Sequence, residues 1–401
     1  MPTNFERLKG RQSIAAFLAK KVGTVAGFLR TDHKGRCVLR DVSGEMVLPD
    51  NLAVVAPCWL GLSFTDDGQT EVLYQQSVNA NSEVTRLQAD YGQLKRRWSI
   101  YQEVRRFFLE QEFLEVDTPV AVACPGMEPF LDSWPIDNNW LRTSPELHLK
   151  RLLAGGYDRI FQIGPCFRKG DLGRLHREEF HMLEWYRVFA DLDSLIQDIG
   201  ALLTHLAPLA TDPDFFRSLP DLVTCQEVFA KYLDMDLIDT TDKTPLRDKL
   251  DEMGITYAQE DDWDTLYFLL FLNFIEPKLG RERPLILCGY PASQAALARK
   301  APQQPGVFPT CFRLELYVRG SEIANGFDEL VDPREQRARF EAERKVRNQL
   351  GKPVYPMDEP FLTCLESGLP PSAGIALGMD RLVLALLDLT DMDQILPFHP
   401  E

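Results

Sequence analysis

One stretch, Tyr157 to Phe189, restricts the possible folds of this chain more than any other: YDRIFQIGPCFRKGDLGRLHREEFHMLEWYRVF. Its ends, an apolar run from Ile160 to Phe167 and an aromatic-rich run from Phe180 to Phe189, have strand composition, and a polar, Gly-containing segment separates them. The pattern predicts an antiparallel hairpin with a long charged tip. Along the second strand side chains alternate between faces, which groups Phe180, Met182, Glu184 and Tyr186 against His181, Leu183 and Trp185. A face that mixes aromatic rings with a carboxylate is unusual for a core. Arg168 ends the first strand, and Arg174 and His176 lie in the tip. A ring for base stacking, a carboxylate beside a phenol, and cations at the tip suit a nucleotide and an ammonium-bearing substrate held side by side. A solvated hairpin with core aromatics and incidental charge is the competing reading of this stretch taken alone.

The rest of the chain divides around that hairpin. Residues 1 to about 20 are a basic, amphipathic lead-in, and from Val22 to about Gln76 five short β-prone runs alternate with turn signals. This spacing predicts a small OB-like β-barrel over residues 1–80. Its stacking aromatics are few, essentially Phe28, so a structural or protein-docking role stands beside oligonucleotide binding. Residues 81–93 are polar and read as a linker to a larger domain, 94–401. That domain opens with a helix from about Leu94 to Glu112, then FLEVDTPV, in which Pro119 keeps Thr118 out of helix. In TSPELHLKRLLAGG, Ser144 is placed to cap a helix whose first turn holds Glu146. Asp191 to Gly280 is helical by pattern and carries no catalytic constellation, and Pro333 to Gly351 reads as a charged helix with a solvated face.

Length and charge narrow the function. A chain of 401 residues with 45% hydrophobic content buries a full core in two or three domains. A net charge of -16 argues against broad, non-specific adhesion to nucleic acid, although Met1 to Arg40 carries about +7 and the remainder about -23. The eight cysteines form no CxxC pair and the six histidines no zinc-ligand cluster, which points to reduced core thiols in a cytoplasmic protein. The N-terminus lacks a signal-peptide core, and the longest apolar run, Leu266 to Ile275, contains Asn273 and is too short to span a bilayer.

Two more segments carry chemistry. FRLELYV and EIANGF read as strands joined at Arg319-Gly320; a turn there pairs Val318 with Ser321 and Tyr317 with Glu322, and sets Glu315 and Glu322 diagonally on one face. Diagonal neighbours lie roughly 7–8 Å apart, so long carboxylates there reach one divalent cation. Two exposed acids on a sheet edge are the alternative. SAGIALGMDRLVLALLDL is a Gly-punctuated strand entering an apolar helix; closely spaced glycines let a backbone approach a ligand, and Arg381 is placed for a base or a phosphate.

Three separated pieces stand in a recognisable order. FLEVDTP resembles motif 1 of the class II aminoacyl-tRNA synthetases, FRKGDLGRLHREEFHMLEWY motif 2 and GIALGMDR motif 3. Within that superfamily TSPELHLKRLL, EFHMLEWYR and GSEIANGFDEL resemble the lysyl branch, in particular its freestanding members that act as elongation factor P lysine ligases, and the match covers roughly Leu94 to Pro397. The resemblance implies an α+β catalytic domain, an antiparallel sheet flanked by helices, dimeric through the motif 1 region. It implies ATP as a substrate and Mg²⁺ as a cofactor. Carried across by motif, Arg168 grips the α-phosphate and with Arg381 serves catalysis, His176 lies near the distal phosphates, and Phe180 stacks on adenine with Arg381 on its other side. Glu315 and Glu322 hold Mg²⁺, while Glu146, Glu184, Tyr186, Asn325, Phe327, Glu329 and Ala376 receive lysine or β-lysine with its two ammonium groups.

The chain departs from the motifs in places. Motif 2 ordinarily reads Arg-x-Glu; here the third position is Gly170, which makes the next residue, Asp171, a shifted candidate for adenine. Arg177-Glu178 replaces the Asn-Pro that usually follows the loop histidine. Ala376 stands where tRNA-charging lysyl enzymes have Gly and the ligase branch has Ala, and its methyl trims the pocket in a way compatible with β-lysine. The usual ligase lacks an N-terminal domain and a lysyl-tRNA synthetase has a larger one. The resemblance therefore implies ATP-dependent activation of lysine, (R)-β-lysine in preference, and transfer to a lysine side chain of elongation factor P, with the basic stretch through Arg40 guiding the acceptor. Charging of tRNA with lysine is the second reading and a non-catalytic paralogue the third; no membrane partner is expected.

Overall fold

The computed structural model describes residues 7–8, 10–21, 23–32, 34–49, 52, 54, 56–67, 69–78 and 91–398. Two compact units divide the chain, residues 1–91 and 92–401. The expected linker lies outside the described residues as far as residue 90, and from Tyr91 the chain is helical.

In the smaller unit Ser13 caps a helix, Ile14–Lys20, its hydroxyl accepting from the Ala16 amide at 3.2 Å. Five strands follow: β1 (Gly23–Thr31), β2 (Cys37–Asp41), β3 (Gly44–Val47), β4 (Cys58–Phe64) and β5 (Thr70–Ser77). They form one antiparallel sheet in the order β3-β2-β1-β4-β5. Alternation sends Val25, Leu29, Leu39, Leu60 and Leu62 into one core with Ile14. Phe28 packs edge-to-face on Trp59 at 5.3 Å, so the aromatic content around Phe28 is larger than the sequence reading allows. Lys20 and Lys21 are exposed, whereas Arg30 is half-buried and bonded to both oxygens of Glu45 at 3.1 and 3.2 Å.

The larger unit contains, in chain order, β6 (Leu114–Glu115), β7 (Ala121–Val122), β8 (Pro135–Ile136), β9 (Asn139–Leu141), β10 (Arg159–Phe167), β11 (Glu179–Val188), β12 (Asp221–Thr224), β13 (Leu285–Cys288), β14 (Arg313–Val318), β15 (Ser321–Asp328) and β16 (Ser372–Gly378). The main sheet runs β12-β13-β14-β15-β16-β11-β10-β6. It is antiparallel except at two outer pairs, β12 with β13 and β10 with β6. Strands β7, β9 and β8 make a small separate sheet.

The predicted hairpin is β10 and β11. Phe161 and Ile163 on one strand, and Leu183 and Trp185 on the other, enter a core shared with helices Tyr91–Glu110, Leu192–Leu206 and Met379–Leu387. Burying such side chains contributes roughly 1.5–3 kcal/mol each, which fixes the strand register and commits Phe180, Met182, Glu184 and Tyr186 to the opposite face. Helix Tyr91–Glu110 starts and ends slightly before the predicted bounds, because a polar first turn adds no apolar period from which to read its start.

The helix Pro333–Gln349 is not the solvated element that its charge suggests, since Gln336, Phe340 and Arg347 are buried. Arg347 Nη1 donates to the carbonyls of Glu128 at 2.9 Å and Leu131 at 2.8 Å, Nη2 to Asp132 Oδ1 at 2.8 Å, and Nε to the Pro353 carbonyl at 2.8 Å. One guanidinium, with its five donors, thereby fastens the loop between β7 and β8. The eight cysteines are free. Among the described residues no helix is long and apolar enough to cross a membrane.

Candidate active site

The face that the hairpin keeps out of the core opens on a cleft of about 380 Å³. Of the residues expected there, Glu146, Arg168, Asp171, His176, Phe180, Glu315, Glu322, Asn325, Phe327, Ala376 and Arg381 line it. Much of the cleft is built on one row of the sheet, in which Glu184 pairs with Ala376, Ala376 with Asn325, and Asn325 with Glu315, the last three lining it and Glu184 lying behind. Paired residues in a sheet share a face, so four widely separated positions converge without any loop.

The turn at Arg319-Gly320 pairs Val318 with Ser321 and Tyr317 with Glu322, as the sequence predicts. A β-bulge between Leu316 and Tyr317 then sets Glu315 opposite Asn325, one residue further along than an unbroken ladder gives. Glu315 accepts from Arg313 at one oxygen and from Tyr290 and Tyr317 at the other, the Tyr317 bond measuring 2.5 Å. Burial and the neighbouring charge of Glu315 push Glu322 up to about 7, and no side-chain donor among the described residues reaches its carboxylate. An oriented carboxylate beside one without a partner fits a divalent cation that takes its other ligands from phosphate and water. No cluster of three or more His, Cys, Asp or Glu is arranged for a metal among the described residues.

At the opposite wall the Arg168 guanidinium lies 5.1 Å from the Phe180 ring centroid, and its buried Nε has no acceptor. Arg381 Nη1 donates to the Glu322 carbonyl at 3.0 Å and its Nη2 contacts His176 Nε2. Burial, and then the charge of Arg381, lowers the His176 imidazole, which keeps it neutral at pH 7. Asp171 lies 4.0 Å from the same nitrogen. Gly170 adopts φ +81° in the turn, and its amide donates to Glu178 Oε1 at 2.6 Å.

Lys150 stands where the cleft is expected to receive the substrate's ammonium groups. It is 1% exposed, on the helix Glu146–Ala154, with Nζ 2.5 Å from Glu146 Oε1 and 2.5 Å from Glu329 Oε2. Two carboxylates expected to face the substrate thus already share an ammonium of the protein. The signal was present in TSPELHLKRLL as an i, i+4 pair. Glu329 Oε1 has no partner. Glu184 accepts from Ser144 Oγ at 2.5 Å and from the Tyr186 hydroxyl at 3.0 Å. Ser144 also caps the helix as expected, its hydroxyl accepting from the Glu146 amide at 3.0 Å across Pro145, which stands just before the first helical residue. Glu184, Tyr186 and Glu329 are buried behind the cleft wall rather than in its lining. Burial and the charge of Glu146 push Glu184 up to about 8, and burial pushes Glu329 to about 8 against the pull of Lys150.

Of the glycines of β16, Gly378 lines the cleft and Gly374 has a different role. A Cβ on Gly374 would overlap the Tyr186 ring, so this glycine makes room for the ring that holds Glu184 rather than for a ligand. Gly374→Ala is expected to lower stability by about 1–3 kcal/mol, read from urea unfolding midpoints. An unchanged midpoint would mean that the ring has room to retreat.

A family model for class II tRNA synthetases (D, K and N) matches residues 83–400. The elongation factor P–(R)-β-lysine ligase of Proteus mirabilis is 38% identical over 323 residues, covering 77% of this chain and 95% of the relative. Its namesake from Klebsiella pneumoniae is 38% identical over 320 residues, 76% of this chain and 94% of the relative. The one from Haemophilus influenzae is 36% identical over 320 residues, 77% and 95% respectively.

Proposed function

We propose, from the premise that this chain belongs to the class II tRNA synthetase family (D, K and N), that it is an ATP-dependent ligase. It activates lysine, (R)-β-lysine in preference, and transfers it to a lysine side chain of elongation factor P. The observation that carries the reading is a set of three carboxylates, half-buried Glu146 in the cleft wall with buried Glu184 and Glu329 behind it, which faces one protein cation. Such a set rejects a neutral ligand, because carboxylates left unpaired in a buried site are costly, and accepts a dication. The names of the relatives, matched over nearly their whole length, support the acceptor and the isomer.

A lysine carboxylate oxygen attacks the α-phosphorus of ATP and the bond to pyrophosphate breaks. Arg168 stabilises the charge that develops, and Phe180 and Arg381 hold the base between them. The acceptor amine then attacks the carbonyl carbon and AMP leaves. Glu315 and Glu322 would hold Mg²⁺, which supplies charge neutralisation on the phosphate oxygens. Asn325, Phe327 and Ala376 shape the pocket, and a homodimer in the cytoplasm completes the proposal.

Acyl transfer by the full chain with ATP and Mg²⁺ tests it, offering elongation factor P and bulk tRNA in parallel with α-lysine and (R)-β-lysine. A mass increase on the protein acceptor, larger with β-lysine, is expected. Charged tRNA alone would overturn the acceptor. The observation that favours tRNA is Trp59, an exposed ring packed on half-buried Phe28, since exposed rings stack on bases.

The raised carboxyls give the reading a pH signature. Glu184 and Glu329, near 8 in the free protein, must ionise to receive ammonium groups, so lysine binding releases protons and tightens from pH 6 to 8. In the free protein the same groups, ordinarily near 4.5, oppose folding as pH rises through about 8, so lysine raises the melting temperature more at pH 8 than at pH 6. Calorimetry in buffers of different ionisation heat measures the protons. Uptake in place of release would contradict the assignment.

A further inference from the structure

We infer that Glu128 is a specificity-determining residue of this site, its carboxylate receiving the substrate ammonium group nearest the reacting carboxyl. The inference rests on the proposed function and adds a contact that the motifs do not carry. Glu128 lies in the loop between β7 and β8, and it lines both the main cleft and a small side pocket shared with Ser144, Glu146 and Glu343. Its position is fixed from behind, because buried Arg347 holds its carbonyl at 2.9 Å. From the side, a Cβ on Gly126 would stand 2.6 Å from its Oε2, so the carboxylate packs closely on that glycine.

Most other acids in the cleft are already engaged. Glu146 is tied to Lys150 at 2.5 Å, Asp380 to Arg97 at 2.8 Å, and Glu315 to Arg313. Asp171 lies 4.0 Å from His176, and Glu322 belongs to the cation site. Among the described residues no cation and no side-chain donor reaches the carboxylate of Glu128. A partly buried carboxylate without a counter-ion is costly unless a ligand supplies the positive charge.

Its neighbours define which ligand atom that is. Burial and the charge of Glu146 raise its carboxyl, while Arg168 and Lys150 lower it, so Glu128 feels the amine-binding end and the Arg168 end together. An ammonium on the carbon next to the carboxyl, or one carbon further, occupies that interval. The charges also come close to balance. With Glu184 and Glu329 ionised by the ligand, the four carboxylates Glu128, Glu146, Glu184 and Glu329 and the ammonium of Lys150 come to within one charge of neutral once two substrate ammonium groups are added. Glu343, pushed up to about 8 by burial and by Glu128, stays protonated behind it at neutral pH.

Lysine-dependent ATP–pyrophosphate exchange by the full chain tests this, comparing the unmodified protein with E128Q and E128D. The probes are both lysine isomers and, as an inhibitor, 6-aminohexanoate, which keeps the distal amine and lacks the proximal one. In E128Q the KM for lysine rises about 10- to 100-fold, as expected for loss of a charged hydrogen bond, with partial recovery in E128D. The KM for ATP and the inhibition constant of 6-aminohexanoate stay as they were. An unchanged KM for lysine, or equal weakening of 6-aminohexanoate, would overturn the inference alone. Normal exchange with slow transfer to the acceptor would overturn it too, by assigning Glu128 to the acceptor amine. Absence of lysine-dependent exchange in the unmodified protein would overturn the proposed function and this inference with it.

Discussion

Arg168→Ala lowers lysine-dependent ATP–pyrophosphate exchange by about 10²–10³-fold, the range for removal of one preorganised donor from a developing charge. The expectation comes from how the side chain is held before any ligand arrives. Its guanidinium lies over Phe180 with the ring centroid 5.1 Å away, and its buried Nε has no acceptor. A donor kept dry and unpaired has already met its desolvation cost, so an anion gains the full interaction. The loss falls mainly on kcat, because the charge it meets grows during attack on phosphorus. A change smaller than about fivefold would show that Arg381 carries the phosphate.

Lys150→Met has the larger effect on the fold. Removing one partner of a buried ion pair costs about 3–5 kcal/mol, and here two carboxylates lose the same ammonium. Sign and pH dependence follow. In the variant Glu146 and Glu329 repel until one protonates, so the loss is greatest above pH 8 and shrinks toward pH 5. Urea midpoints of both proteins at the two pH values measure it. An equal loss at both would indicate a packing defect rather than an electrostatic one.

The parts of this molecule that were legible in the sequence are those with a local period or a motif. The alternation of Phe180 to Tyr186 was legible because Leu183 and Trp185 have no other place than the core, which leaves Phe180 and Met182 in the cleft wall and Glu184 and Tyr186 behind it. Pairing across Arg319-Gly320 was legible from the turn, and the bulge at Leu316 was not, since an extra residue in a strand leaves no compositional mark. The burial of Lys150 was not legible, because within its helix only the i, i+4 spacing to Glu146 shows, and Glu329 reaches its ammonium from just past β15. Arg347 was missed for the same reason. Glu128 carries no periodic signal at all, and its significance depends on which neighbouring acids are neutralised, a property of the assembled site.

The place of β16 in the sheet has a consequence for biosynthesis. It lies between β11 and β15, and it is the last of the main-sheet strands to leave the ribosome. At about 5–20 residues per second, the stretch from Asp328, where β15 ends, to Ser372 takes roughly 2–9 s to emerge. For that interval the nascent chain carries two unpaired strand edges flanking an unfilled slot, the arrangement most open to illicit pairing with other chains. When β16 enters the slot it closes both edges and, in the same motion, sets Ala376 between Glu184 and Asn325. Closure of both sheet edges and completion of the proposed substrate pocket are thus timed by one seven-residue insertion.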